Sequence, residues 1–322
     1  MSRLEVRPFA VDDIPAAAEL LAERHRRHRQ AQPLLSARYE DPAAAEEAVR
    51  GAAEAEEASG AVAFRGGALV GYLVGSPKAA ASWGDNMWVE AAGQAAAEPE
   101  AMRELYAVAA DRWVAEGRKA HYVLTPAADA ELVRAWFRVG FGQQHAHGLR
   151  ALPQPGELSA PKVTVRPAER ADIPVLAELE IVLPEHQART PVFSAARPPT
   201  LESSLAEWGE DFDDPDFTTF VAVHDGEVIG SAVGCALEKS SSHTTLARPD
   251  RAGFLGFAAV LPHARGLGAG RALGEAVLAW AAEAGHTSVV TDWRVTNLLS
   301  SRAWPALGFQ ESFVRLHRLV GY

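Results

Sequence analysis

The stretch "LGFAAVLPHARGLGAGRALGEAVLAWAAEAG", Leu255 to Gly285, decides how the rest of the chain is read. An apolar run of strand length ends before a proline, and glycines follow at 266, 268 and 270. An alanine-rich segment then carries Leu273, Val277, Trp280 and Ala281 at i, i+4, i+7 spacing and stops at Gly285. The order is strand, glycine turn, then a helix with one buried face and a glycine C-cap. A helix start offers N–H donors and the positive end of its dipole, so the turn is a candidate anion site. A P-loop requires Lys and then Ser or Thr after its second glycine, but Gly270 is followed by Arg271 and Ala272. A dinucleotide fingerprint beginning at Gly266 requires glycine where Arg271 stands. Both are excluded.

Around this stretch the chain repeats itself. "VRPFAVDDIPAAAEL" (Val6 to Leu20) is echoed by "VRPAERADIPVLAEL" (Val165 to Leu179), an offset of 165 minus 6, or 159. The same offset carries Gly67, Gly71 and Gly75 onto Gly226, Gly230 and Gly234. Further on, "AWFRVGF" (Ala135 to Phe141) matches "AWPALGF" (Ala303 to Phe309) at 168, so the copies differ by a net nine residues between. Each copy reads as a strand, a helix opening at "DDIP" or "ADIP" with proline in its first turn, a second helical region and a hairpin at "RGG" or "HDG". The second copy then adds the strand, turn and helix above, strand "TSVVTDW", a short helix and the closing strand "ESFVRLHRLV". The fold class is α/β with a mixed sheet, twice over. The Pro-, Gly- and Ser-rich "RALPQPGELSAPKVTVRP" reads as a linker, which predicts domains at 1–155 and 163–322 joined by 156–162.

Composition narrows the function classes. The chain has 322 residues, 48% hydrophobic and 23% charged, as a soluble globular protein does. No stretch approaches the run of about 20 apolar residues that crosses a bilayer, and "MSRLEVRPFAVDD" lacks a signal region. The expectation is a cytoplasmic protein without a membrane partner. A net charge of -11 argues against a nucleic-acid partner. The single cysteine, Cys235, reads as a small buried side chain in "EVIGSAVGCAL".

The turn has the form Arg-x-x-Gly-x-Gly at Arg265, Gly268 and Gly270. Together with Pro262, Asn297 and "LGF" at Leu307 to Phe309, it makes the second copy resemble the GNAT acetyltransferase family. The resemblance implies two GNAT-like domains in tandem. It also implies that Arg265, Gly266, Leu267, Gly268, Ala269 and Gly270 hold the pyrophosphate of acetyl-CoA, with Arg271 adding charge. It further implies that backbone groups of Ala258, Ala259 and Val260 hold the pantetheine arm and the thioester carbonyl. Asn297 matches a pantetheine-contacting amide and is equally a helix N-cap; Ser300 and Arg302 follow on that helix, within reach of the cofactor or facing solvent. Asp292, at the end of a strand that faces the cleft in the family, is the candidate base, with an ion pair to Arg294 as its structural alternative. His243, Glu238, His263 and the terminal carboxylate of Tyr322 are weaker candidates. The family commonly has a tyrosine as general acid where this chain has Trp304, and the first copy has Trp136 at the matching place.

The first copy lacks the turn. Its "NMWVEAAGQAAAEPEAMRELY" has one glycine, and Glu98 and Glu100 repel a diphosphate, so no CoA site is expected there. His145 and His147 supply two ligands without a third, so no metal is expected. "RHRRHR" (Arg24 to Arg29) reads as a solvated helix face, and "EDFDDPDF" (Glu210 to Phe217) as a solvated acidic loop. The functional expectation is acetyl transfer from acetyl-CoA to the primary amine of a small molecule, by a monomer or homodimer. The alternatives are a non-catalytic acyl-CoA sensor, or amine acetylation like that of mycothiol synthase.

Overall fold

The computed structural model of the protein describes residues 3–154, 156–158, 163–193, 197–241 and 243–321. Residues 159–162 of the expected linker and the terminal carboxylate of Tyr322 lie outside the described residues. The chain forms two compact units: Met1–Ala146 with Thr244–Pro249 and Glu311–Tyr322, and His147–His243 with Asp250–Gln310. A cut near residue 156 therefore separates the sequence repeats, while the compact units divide differently.

The first copy runs β1 (Leu4–Pro8), α1 (Ile14–Ala31), α2 (Pro42–Ala53), β2 (Ser59–Arg65), β3 (Ala68–Gly75), α3 (Ala80–Trp83), β4 (Asn86–Val89), β5 (Gln94–Ala96), α4 (Ala101–Ala115), β6 (Ala120–Pro126), α5 (Ala130–Arg138) and β7 (Gly142–Ala151). The second runs β8 (Thr164–Pro167), α6 (Ile173–Gln187), α7 (Leu201–Asp211), β9 (Phe217–His224), β10 (Glu227–Ala236), β11 (Ala252–Val260), α8 (Ala269–Glu283), β12 (Ser288–Arg294), α9 (Ser300–Ala306) and β13 (Gln310–Leu319). In the first unit β1, β2, β3 and β5 form one sheet, and β6 lies between β4 and β13. In the second the order is β7, β12, β11, β10, β9, β8.

The closing strand of the second copy, β13, thus completes the first unit, antiparallel to β6 from Phe313 opposite Pro126 to Leu319 opposite Ala120. The second half of β7, the closing strand of the first copy, from His147 on, belongs to the second unit. Equivalent arginines secure both strands. Arg318 Nη1 donates to the carbonyl of Val139 at 2.6 Å, beside Gly140. Arg150 Nη1 donates to the carbonyl of Leu307, beside Gly308.

The nine-residue difference between the copies divides in two. Gly71 pairs with Ala96 and Gly230 with Val260, so the offset has grown from 159 to 164 by the strand that precedes the turn. The helices α4 and α8 then start at 101 and 269, an offset of 168. Four residues, "AEPE", connect strand to helix in the first copy, where the second has the eight of "LPHARGLG".

Apolar faces follow the periodicities of the sequence. Leu273, Val277 and Ala281 of α8 are fully buried. The half-buried Trp280 ring packs over Gly234, where an added Cβ would lie 3.1 Å from it. In both copies the strand before the first helix carries, just before its final proline, an arginine paired with the aspartate at the helix start, Arg7 with Asp13 and Arg166 with Asp172. Cys235 is buried at 3% exposure, and burial pushes its thiol up to about 11.

"RHRRHR" is not a solvated face. Arg24, His25 and His28 are buried and only the residues between them are exposed, because positions 21, 24, 25 and 28 share the inner face of α1. His25 Nε2 lies 2.7 Å from the carbonyl of Ser36 and His28 Nε2 2.8 Å from that of Ser312. The Arg24 guanidinium donates to the carbonyls of Ala91, at 2.8 Å, and Gln94.

Candidate active site

The site is built on a fork in the sheet of the second unit. β11 and β12 run parallel in register from Ala252 opposite Ser288 to Leu255 opposite Thr291, and there the pairing ends. β11 continues to Val260 along β10, and β12 continues to Arg294. At this point Gly256 is bulged out, since Val233 pairs with Phe257 and Gly234 with Leu255. Thr291 Oγ1 donates to the carbonyl of Leu255 at 2.9 Å and closes the base of the fork. Ala258, Ala259 and Val260 line one arm; Asp292 is the first residue of the other.

β11 leads directly into the glycine turn. Gly266 and Gly268 have φ of +91° and +89°, a conformation that costs an L side chain about 1–2 kcal/mol. An added Cβ at Gly266 would meet nothing within 4 Å, and at Gly270 only the Val260 side chain at 3.8 Å. The Gly268 carbonyl accepts the N–H of Ala272 at 3.1 Å, opening α8. The N–H groups of Ala269 and Gly270 are then first-turn donors, which an α-helix leaves without a partner inside the helix. The turn is open, donor-rich and made of small residues, and it fits a diphosphate. Arg265 and Leu267 are exposed beside it. Arg271 Nε donates to the buried Glu275 carboxylate at 2.9 Å, so this guanidinium is engaged one turn along its own helix.

At the far end of β12, Asn297 is buried, and its Oδ1 accepts the N–H of Leu299 at 3.1 Å. Its carbonyl accepts the N–H of Ser301, so Asn297 does the work of a helix cap at the entry to α9. The same Oδ1 lies 3.2 Å from His186 Nε2, and Arg294 Nε donates to Gln187 Oε1 at 3.0 Å, tying the end of α6 to the end of β12. Ser300 Oγ bonds the carbonyl of Asn297, and Arg302 is exposed. Trp304 is buried at 8% exposure, edge-on to Phe309 and facing Gly274.

Asp292 lies at the fork with its Oδ2 3.8 Å from His243 Nε2. His243 is buried, and the His147 ring meets it edge-on with centroids 4.4 Å apart. In the sequence His243 is only a weak candidate, and His147 is half of a His-x-His pair. The meeting of His147 with His243 depends on β7 lying next to β12, which no local pattern announces. His263 and Glu238 are exposed.

Among its described residues the first unit has no comparable turn. Glu98 is held by Arg65 at 2.8 Å, and Glu100 by Arg103 and Arg138, immediately before α4. Among the described residues no group of three or more His, Cys, Asp or Glu is placed to hold a metal ion, and no helix is long and apolar enough to cross a membrane.

Residues 182–309 match the Acetyltransferase (GNAT) family. A search of curated proteins gives no significant match. Among solved structures, a GCN5-related N-acetyltransferase from Sphaerobacter thermophilus aligns over 99% of this chain and 97% of its own, at 17% identity and a TM-score of 0.57. The glucosamine N-acetyltransferase region of a fungal multi-domain GH3 β-N-acetylglucosaminidase covers 98% of this chain with 38% of its own, at 15% identity and a TM-score of 0.53. A tandem GNAT protein from the clavulanic acid biosynthesis pathway covers 99% of both chains, at 18% identity and a TM-score of 0.47. The chain has the fold of two GNAT-like domains in tandem, and it is similar to the GNAT acetyltransferase family over residues 182–309.

Proposed function

We propose that the second copy transfers an acetyl group from acetyl-CoA to the primary amine of a small molecule. The observation that carries this reading is the succession of the fork, with Asp292 on one arm, and the open glycine turn at the start of α8. Acetyl-CoA supplies the activated acyl thioester. Backbone N–H groups from Gly266 to Gly270 bind its diphosphate with Arg265 adding charge, and backbone groups of Ala258 to Val260 orient the arm and polarise the thioester carbonyl. Asp292 accepts the proton that the amine loses as the C–N bond forms and the C–S bond breaks. The acidic surface of the chain, net -11, favours the approach of a cationic amine.

Trp304 favours a second reading, an acyl-CoA-binding module without turnover, because an indole does not protonate a departing thiolate. Titration calorimetry with acetyl-CoA, followed by CoA release across a panel of amines, separates the two. One site per chain with turnover supports the transferase; one site without turnover supports the sensor; no binding refutes both.

A further inference from the structure

The duplicated unit supplies an internal reference for the fork. In the first unit Leu73 of β3 lies opposite Gln94, and in the second Ala232 of β10 lies opposite Ala258. Leu73 and Ala232 are 159 residues apart, the offset of the repeat, so Gln94 and Ala258 hold the same register. Gln94 is fully buried, and its carboxamide spans the space between two strands. Its Nε2 donates to the carbonyl of Leu124 on β6 at 2.8 Å, and its Oε1 accepts the indole N–H of Trp136 at 2.9 Å.

Both partners have counterparts at an offset of 168. Leu124 corresponds to Asp292 of β12, and Trp136 to Trp304. What the second unit lacks is the amide between them, because Ala258 ends at Cβ. The indoles differ accordingly: Trp136, capped by Gln94, is 0% exposed and Trp304 is 8% exposed. Arg24 reinforces the closed state of the first unit through the carbonyls of Ala91 and Gln94, and its counterpart, 24 plus 159, is Leu183.

We propose that Gln94 is a built-in ligand. Its carboxamide occupies in the first unit the place that an amide of the bound acyl-CoA takes in the second. There the Trp304 indole N–H donates to the ligand's amide oxygen, and the Asp292 backbone carbonyl accepts the ligand's amide N–H. This rests on reading the fork as the acyl-CoA site. It makes Trp304 a positioning residue, and it makes the first unit a site closed from within as well as one without a glycine turn.

Returning the amide tests the idea. Ala258→Gln is expected to close the second unit as Gln94 closes the first: acetyl-CoA affinity falls by at least about 100-fold with the melting midpoint kept or raised. In that background Trp304→Phe should lower the midpoint by more than it does in the native chain, since only there does it break the bond to the introduced amide. In the native background Trp304→Phe should weaken acetyl-CoA about fivefold, the value of one ordinary hydrogen bond, while Trp136→Phe leaves it within about twofold. Binding by Ala258→Gln within about threefold of native would overturn the proposal, as would Trp304→Phe costing the same stability in both backgrounds. If the native chain binds no acetyl-CoA, the proposed function fails on its own, and the stability coupling between positions 258 and 304 still decides the geometry.

Discussion

Gly270→Glu separates binding from folding at the glycine turn. Gly270 is the second residue of α8, it lies outside the positive-φ set, and a Cβ there meets only Val260 at an ordinary 3.8 Å. Replacing a helical glycine contributes about 0.5–1 kcal/mol, and an acidic side chain in the first turn about 0.3–1 kcal/mol more through the helix dipole. The variant should therefore be as stable as the native chain or slightly more so. A carboxylate about 4–5 Å from a bound phosphate is opposed by about 3–4 kcal/mol at an effective dielectric near 20, which weakens acetyl-CoA by about 100- to 1000-fold. Titration calorimetry and thermal denaturation on the same sample read both quantities. Affinity within about tenfold of native in a folded variant would refute the assignment of the diphosphate to this turn. Gly268→Glu is the less informative choice, because φ of +89° there adds backbone strain to any loss of binding.

Three further outcomes are expected. Asp292→Asn should lower turnover by at least about 100-fold with acetyl-CoA affinity retained, and undiminished rates across pH would remove it as the base. Burial, with Arg24 nearby, pushes His28 down from 6.5 to about 3. Its contribution to stability is therefore complete above pH 6.5 and lost as the pH falls from there towards 3; His28→Gln should flatten the melting midpoint between pH 6.5 and 4, and an unchanged acid slope would contradict this. Cys235, buried and with its thiol held as the neutral form, should resist alkylation by iodoacetamide in the native state and react on unfolding.

Much of the candidate site's local structure was legible in the sequence because its parts are local. The glycine turn, the strand before it and the helix after it occupy one continuous stretch, and the conformations of Gly266 and Gly268 follow from short-range sterics. The capping role of Asn297 is likewise a contact within four residues. The charges of "RHRRHR" suggest solvent, while the helical period turns Arg24, His25 and His28 inward, where each side chain meets a backbone carbonyl.

By itself the sequence determined the twofold repeat, the α/β character of each copy and the difference between them: a turn of small residues in one, two glutamates before the helix in the other. Each is written in spacing and side-chain type, which act over a few residues. Only the tertiary structure decided that β13 pairs with β6, that His147 meets His243 beside Asp292, and that the amide of Gln94 bridges to Leu124 and Trp136. A strand's own pattern specifies which face is buried and leaves its partner open. The partner is chosen by long-range packing, here with Arg318 on the carbonyl of Val139 and Arg150 on that of Leu307, contacts between residues more than 150 positions apart.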